Sequence, residues 1–188
     1  MSEITTQTLR FHRQSARPTW SNISGIVESL TTVYQGRFMN NGIAIEQKFR
    51  GQNPVHCLEG EIRQVLSNFI GNAIDALPNG GRLSIRTRDG HRYSDGKEGV
   101  YVTIADTGIG MPDSVRERVF DAFFTTKQGT GTGLGLWIAK GIIEKHRGMI
   151  QVHSSQARRR HGTVFRLFLP YDAMAADKET TVPVAASL

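Results

Sequence analysis

Among its 188 residues the chain has one cysteine, six prolines and no long apolar run. A lone Cys57 excludes an internal disulfide framework and a cysteine-cluster metal site, and reads as a buried, inert thiol. The best candidate for a membrane span, around residues 134–143, is cut by Lys140 and Glu144 and falls short of the roughly 20 apolar residues that a spanning helix needs. The N-terminus lacks the basic and apolar regions of a signal peptide. A soluble, reducing, cytoplasmic setting is therefore expected, with no membrane contact by this segment; an anchor elsewhere in a longer parent is compatible with it. Aromatics are 8% of the chain, and none interleaves with the basic run Arg158, Arg159, Arg160, so that run reads as a solvated hairpin tip rather than a single-strand nucleic-acid face. No nucleic-acid partner is expected. The formal charge of +6 favours anionic partners without choosing among them.

Length points to about one domain. A polar opening stretch with Ile4, Leu9 and Phe11 reads as a weak helix ending before Pro18. Ile23, Ile26, Val27, Leu30 and Val33 recur at helical spacing over 21–38, with Ser21 or Asn22 as cap. Strands are expected at 43–49 and 55–58, around a turn at 51–54. The clearest helix spans 59–77, where Ile62, Val65, Leu66, Phe69, Ile70, Ala73, Ile74 and Leu77 make one broad apolar face. A hairpin of 82–88 and 100–105 follows, then a short helix over 112–120, a Thr- and Gly-rich stretch, and a helix over 134–146 ended by Gly148. Strands at 149–154 and 163–169 complete the pattern, and 171–188 reads as a disordered tail. Hairpin-linked strands with helices between them predict an α+β sandwich of two layers.

Three segments carry chemistry. On the polar side of the long helix, Asn68, Asn72 and Asp75 fall on one stripe. Asparagine is unfavourable inside a helix, so two of them a turn apart mark either a solvated face or hard oxygen donors for a magnesium ion at nucleotide phosphates. The second segment is D-T-G-I-G-M at 106–111. Asp106 ends an apolar strand and is an acceptor for a purine amine, with Gly108 and Gly110 letting backbone approach the base; an ordinary turn is the alternative. Third, G-T-G-T-G-L-G-L at 129–136 offers unobstructed N–H groups and runs into a helix N-terminus, with Lys127 adding a point charge; a flexible linker is the alternative. The P-loop, the dinucleotide G-x-G-x-x-G and the H-R-D and D-F-G pair of protein kinases are all absent.

In this order the segments resemble the catalytic and ATP-binding domain of sensor histidine kinases, within the wider group of gyrase, Hsp90 and MutL ATPase domains. V-L-S-N-F-I-G-N-A-I-D-A-L is similar to the N box, D-T-G-I-G-M to the first glycine box, F-D-A-F-F-T-T-K to the F box and G-T-G-L-G-L to the second glycine box. G-T-V-F-R-L-F-L-P is similar to the last strand. The resemblance implies a Bergerat-type α/β sandwich, a mixed but mostly antiparallel sheet packed on helices, that binds ATP and Mg2+. By it, Asn72 would coordinate magnesium, Asn68 would assist at the phosphates and Asp75 would line the nucleotide site. Asp106 would select adenine with Thr163 beside it, flanked by Gly108 and Gly110. Residues 120–132 would form a lid in which Lys127 reaches phosphate and Phe120 and Phe124 pack the base. Gly131, Thr132, Gly133, Leu134, Gly135 and Leu136 would wrap the phosphates.

Hydrolytic relatives place a glutamate where this chain has Asn68; an amide is no general base, so transfer is favoured over hydrolysis. The family's phosphoacceptor histidine sits upstream, in a two-helix dimerisation domain. His12 is followed by Arg13 and lies close to the N box, so residues 1–17 read as the end of that domain, 18–170 as the catalytic domain and 171–188 as the tail. The resemblance then implies a kinase acting on a separate histidine-containing dimerisation domain, with a response regulator downstream. A nucleotide sensor without transfer and an independent ATPase are the alternatives.

Overall fold

The computed structural model describes residues 17–127, 131–158 and 160–174. The expected opening helix with His12, the start of the glycine run at Gly129, Arg159 and the tail beyond Met174 lie outside them. β1 (Thr19–Ser21) pairs antiparallel with β3 (Val55–Cys57) in a small separate sheet, so Ser21 ends a strand instead of capping a helix. Asn22 is the cap of α1 (Ile23–Asn40): its side-chain oxygen accepts the Gly25 N–H at 3.1 Å. Ile23, Ile26, Val27 and Leu30 turn inward, but Val33 is 76% exposed. At about 100° per residue, Val33 has rotated off the face that Ile23 sets. Tyr34 takes the inward place.

β2 (Ile43–Arg50) and β3 lead into α2 (Glu59–Asp75), the expected long helix. β4 (Gly81–His91) and β5 (Glu98–Asp106) form the hairpin and are longer than expected at both ends. The expected helix over 112–120 shrinks to α3 (Asp113–Arg116), with Pro112 as its cap residue. α4 (Gly135–Lys145) precedes a second hairpin of β6 (Met149–Ala157) and β7 (Arg160–Pro170). The five strands lie in the order β2-β4-β5-β7-β6, antiparallel except for the parallel pair β2 and β4. This is the mixed, mostly antiparallel sheet expected.

Alternation along the strands gives the sheet two unlike faces. Leu83, Ile85, Val102, Ile104, Phe165 and Leu167 are buried against the apolar face of α2, where Phe69 stacks on Phe165 at 4.6 Å between ring centroids. On the opposite face, Arg82, Arg86, Arg88 and Arg166 are exposed. The packed chain also runs past the expected boundary at Pro170: Tyr171 O accepts the His56 N–H at 2.8 Å, Met174 N donates to His56 O at 3.0 Å and Ala173 is buried. Among the described residues no helix is long and apolar enough to cross a membrane.

His146 ties α4 to the start of α2. It is fully buried, and its Nε2 accepts the Leu58 N–H at 3.1 Å, which fixes the proton on Nδ1, 2.8 Å from Ile142 O. Burial pushes the imidazole below its ordinary value of 6.5. A base whose folded value is lowered contributes stability that is present above the unfolded value and lost as pH falls through the folded one. Melting temperature is therefore expected to drop as pH is lowered from about 7.5 to about 5.5, and His146→Gln to melt lower at the upper pH with a shallower pH dependence.

Candidate functional site

The expected polar stripe is present on α2, and each of its members is engaged. Asn68 Nδ2 donates to Gly135 O at 2.9 Å, tying the helix to the end of the glycine segment. One turn on, Asn72 Oδ1 accepts from Lys127 Nζ at 3.1 Å, and the same ammonium lies 2.6 Å from Asp75 Oδ2. The other Asp75 oxygen, Oδ1, accepts from Arg37 Nη2 at 3.1 Å. A cleft of about 540 Å³ opens here, lined by Arg37, Asn41, Ile74, Asp75, Pro78, Lys127 and Gly131.

Asp106 closes β5 and is buried, at 8% exposure. Its Oδ1 accepts the Gly108 N–H at 2.8 Å and the Thr163 N–H at 3.2 Å. Both bonds fall on one oxygen, so Oδ2 is the oxygen that can meet a ligand. Burial pushes the carboxyl above the ordinary carboxylate value, and the backbone N–H groups of Gly108, Thr163 and Asp106 itself pull it partway back. The glycines that follow also have a structural reason within the fold. A Cβ at Gly108 would run into Ala76 O at the end of α2, and one at Gly110, whose φ is +67°, would run into Ser155 O. They let the loop lie against protein backbone. Ile109 N donates to Ala76 O at 3.2 Å, and Met111 N to Ser154 Oγ at 2.7 Å.

Thr163 sits in register opposite Asp106 on β7, its hydroxyl 2.9 Å from Ser154 Oγ. Of the glycine segment, Gly131, Thr132 and Gly133 lead from Lys127 back to Leu134, the cap residue of α4, while Leu136 packs on the core. Phe120 also packs there, edge-on to Phe165, and Arg118 lies over the Phe124 ring at 4.5 Å. Thus Asn72, Asp75 and Lys127 come together directly, Asn68 stands one turn back bonded to Gly135 O, and Asp106 with Thr163 joins them through the end of α2. Asp106 does not line the cleft itself. A larger groove of about 670 Å³, between Phe120, Trp137 and Lys145, takes in Phe120, Asp121 and Ala122 from the start of the expected lid and none of the residues expected to touch the nucleotide.

Arg37, Ser154 and His161 escaped the sequence. Arg37 comes from the last turn of α1, 38 positions before its partner, and one basic residue on an exposed helix face carries no signal. Ser154 and His161, whose Nδ1 lies 2.8 Å from Gly108 O, buttress the acid loop from the second hairpin. Only the pairing of β6 with β7 brings them there.

The family model described as histidine kinase-, DNA gyrase B-, and HSP90-like ATPase matches residues 57–173. The sensor kinase CckA of Brucella abortus is 35% identical, over all of this chain and 22% of that kinase. The chain thus spans about a fifth of this relative's length. Among solved structures, the catalytic domain of histidine kinase ThkA superposes with a TM-score of 0.70 at 26% identity, covering 82% of this chain and 96% of that one. ThkA in complex with the response regulator protein TrrA gives 0.67 at 25% identity, over 92% of this chain and 48% of that one.

The glycine contacts define a test of the acid loop alone. Gly108→Ala is expected to lower the unfolding free energy by about 1–3 kcal/mol, because backbone must shift. Gly71→Ala, in the middle of α2 with open space around the added carbon, is expected to gain up to about 1 kcal/mol. Urea unfolding of the two variants measures both.

Proposed function

From the premise that the chain belongs to the family of histidine kinase-, DNA gyrase B- and HSP90-like ATPases, we propose that it is the ATP-binding catalytic domain of a sensor histidine kinase. It moves the γ-phosphoryl group of Mg-ATP to a histidine on a separate dimerisation domain, in a signalling pair with a response regulator in the cytoplasm. On this reading the catalytic unit runs from residue 18 through the packed segment that ends at Met174, and residues 1–17 are the end of the dimerisation helix. The observation that carries it is that one helix joins three parts: Asn68 bonded to the start of α4 at Gly135 O, Asn72 bonded to Lys127, and at its end Ala76 O bonded to the loop of the buried acid Asp106.

Asp106 Oδ2 takes the exocyclic amine of adenine, and Thr163 stands beside it. The backbone of Gly131, Thr132, Gly133, Leu134, Gly135 and Leu136 meets the phosphates at the start of α4, and Lys127 adds a charge. Asn72 Oδ1 already faces a cation, the Lys127 ammonium, so its carbonyl suits a metal ion. Among the described residues no group of three His, Cys, Asp or Glu side chains could hold one. Magnesium tolerates a single protein oxygen, taking its remaining ligands from water and phosphate, so Asn72 would hold it. Held there, the ion would supply positive charge against the phosphates. Asn68 spends its amide on Gly135 O and supplies no base for water, which favours transfer over hydrolysis. Catalysis is then positioning plus charge neutralisation, with the nucleophile brought by the partner.

The test is to mix the chain with γ-labelled ATP, magnesium and a cognate two-helix domain. Acid-labile, base-stable label on the histidine of that domain is expected. Steady phosphate release without any acceptor would make the chain an ATPase, and binding without transfer would make it a nucleotide sensor.

A further inference from the structure

Asp75 is the one acid in the polar stripe of α2, and both of its oxygens are taken by cations. Lys127 Nζ lies 2.6 Å from Oδ2 and Arg37 Nη2 lies 3.1 Å from Oδ1. Lys127 also reaches Asn72 Oδ1, so a single ammonium spans the two positions. The group is anchored on three elements: Arg37 in the last turn of α1, Asp75 at the end of α2, and Lys127 on the segment before Gly131. All three charged residues line the same cleft. A carboxylate is a poor ligand for a triphosphate, because like charges at contact distance repel. It is a good holder of the cations that a triphosphate needs.

We propose that Asp75 is a positioning residue rather than a nucleotide ligand: it holds Lys127 against Asn72 while the cleft is empty, and the incoming phosphates must take Lys127 from it. This rests on the nucleotide reading of the cleft. Arg37 has its own oxygen on Asp75, so it stays as counter-charge when Lys127 leaves and the carboxylate is not left bare toward the phosphates. Asp75 therefore lowers nucleotide affinity, the opposite sign from a ligand.

The deciding experiment is calorimetric titration of Mg-ATP into the wild type, Asp75→Asn, Asp75→Glu, Lys127→Ala and the double variant Asp75→Asn/Lys127→Ala. Asp75→Asn is expected to bind roughly two- to fivefold more tightly, the scale of an exposed ion pair, and Asp75→Glu to stay near wild type. Most of that gain is expected to vanish in the Lys127→Ala background. Weaker or unchanged binding by Asp75→Asn would overturn the proposal. A second readout needs no nucleotide: reductive methylation of the ligand-free chain, followed by peptide mapping, is expected to label Lys127 faster in Asp75→Asn than in the wild type. Equal labelling would overturn the holding role on its own. A wild type that binds no Mg-ATP would sink the nucleotide reading instead, and the labelling would still decide the role of Asp75.

Discussion

One carboxylate oxygen organises the candidate site. Asp106 Oδ1 receives the N–H of Gly108 from its own loop and that of Thr163 from the neighbouring strand β7, so a single acceptor joins two segments 57 positions apart. Hydrogen bonds to a charged acceptor are stronger than neutral ones, and this one lies in the interior. Burial alone would favour the neutral acid; the surrounding backbone N–H groups work against it. The loop that follows is then pinned on its other side by Ala76 O and Ser154 Oγ. A ligand meeting Oδ2 would find an acid whose orientation is already fixed, which is what preorganised recognition requires.

α2 carries that order to the rest of the molecule. Its apolar face fills the space against the sheet, and its ends are held by unlike partners: His146 at the Leu58 N–H, and the acid loop at Ala76 O. Along the polar side, Asn68 reaches the start of α4 and Asn72 reaches Lys127. A rigid helix with one buried and one engaged face is a suitable support for groups that must act together, since a site on a packed element is held more closely than one on loops. The charges at its C-terminal turn are the adjustable part. They are exposed and paired, and so contribute little to stability.

Periodicity made most of this fold legible in the sequence. α2 was readable because seven apolar positions keep helical spacing along it, and the hairpin of β4 and β5 because alternation brackets a polar loop. Val33 keeps near-helical spacing in the sequence, but its angle no longer faces the core. β1 was hidden because three residues carry too little pattern to mark a strand, and only pairing with β3 defines it. The site divides the same way. Asn68, Asn72, Asp106 and Lys127 stand in motifs, whereas Arg37, Ser154 and His161 act through contacts between distant segments. The roles of Gly108 and Gly110 were also out of reach, because Ala76 O and Ser155 O, which they approach, become neighbours only in the fold.

On the proposed reading the acid on β5 and the stripe on α2 meet opposite ends of one ligand, a flat base and a chain of phosphates, and the measurement that bears most directly on this is the affinity of Asp106→Asn. With ATP and magnesium titrated into wild type and variant, the variant is expected to bind at least about 100-fold more weakly, because a site built around an acceptor would then present a donor. Its melting temperature should stay close to that of the wild type, since Asn keeps a side-chain oxygen for the Gly108 and Thr163 N–H groups. Unchanged ATP affinity in a folded variant would contradict the adenine assignment and, with it, the orientation of the ligand along α2.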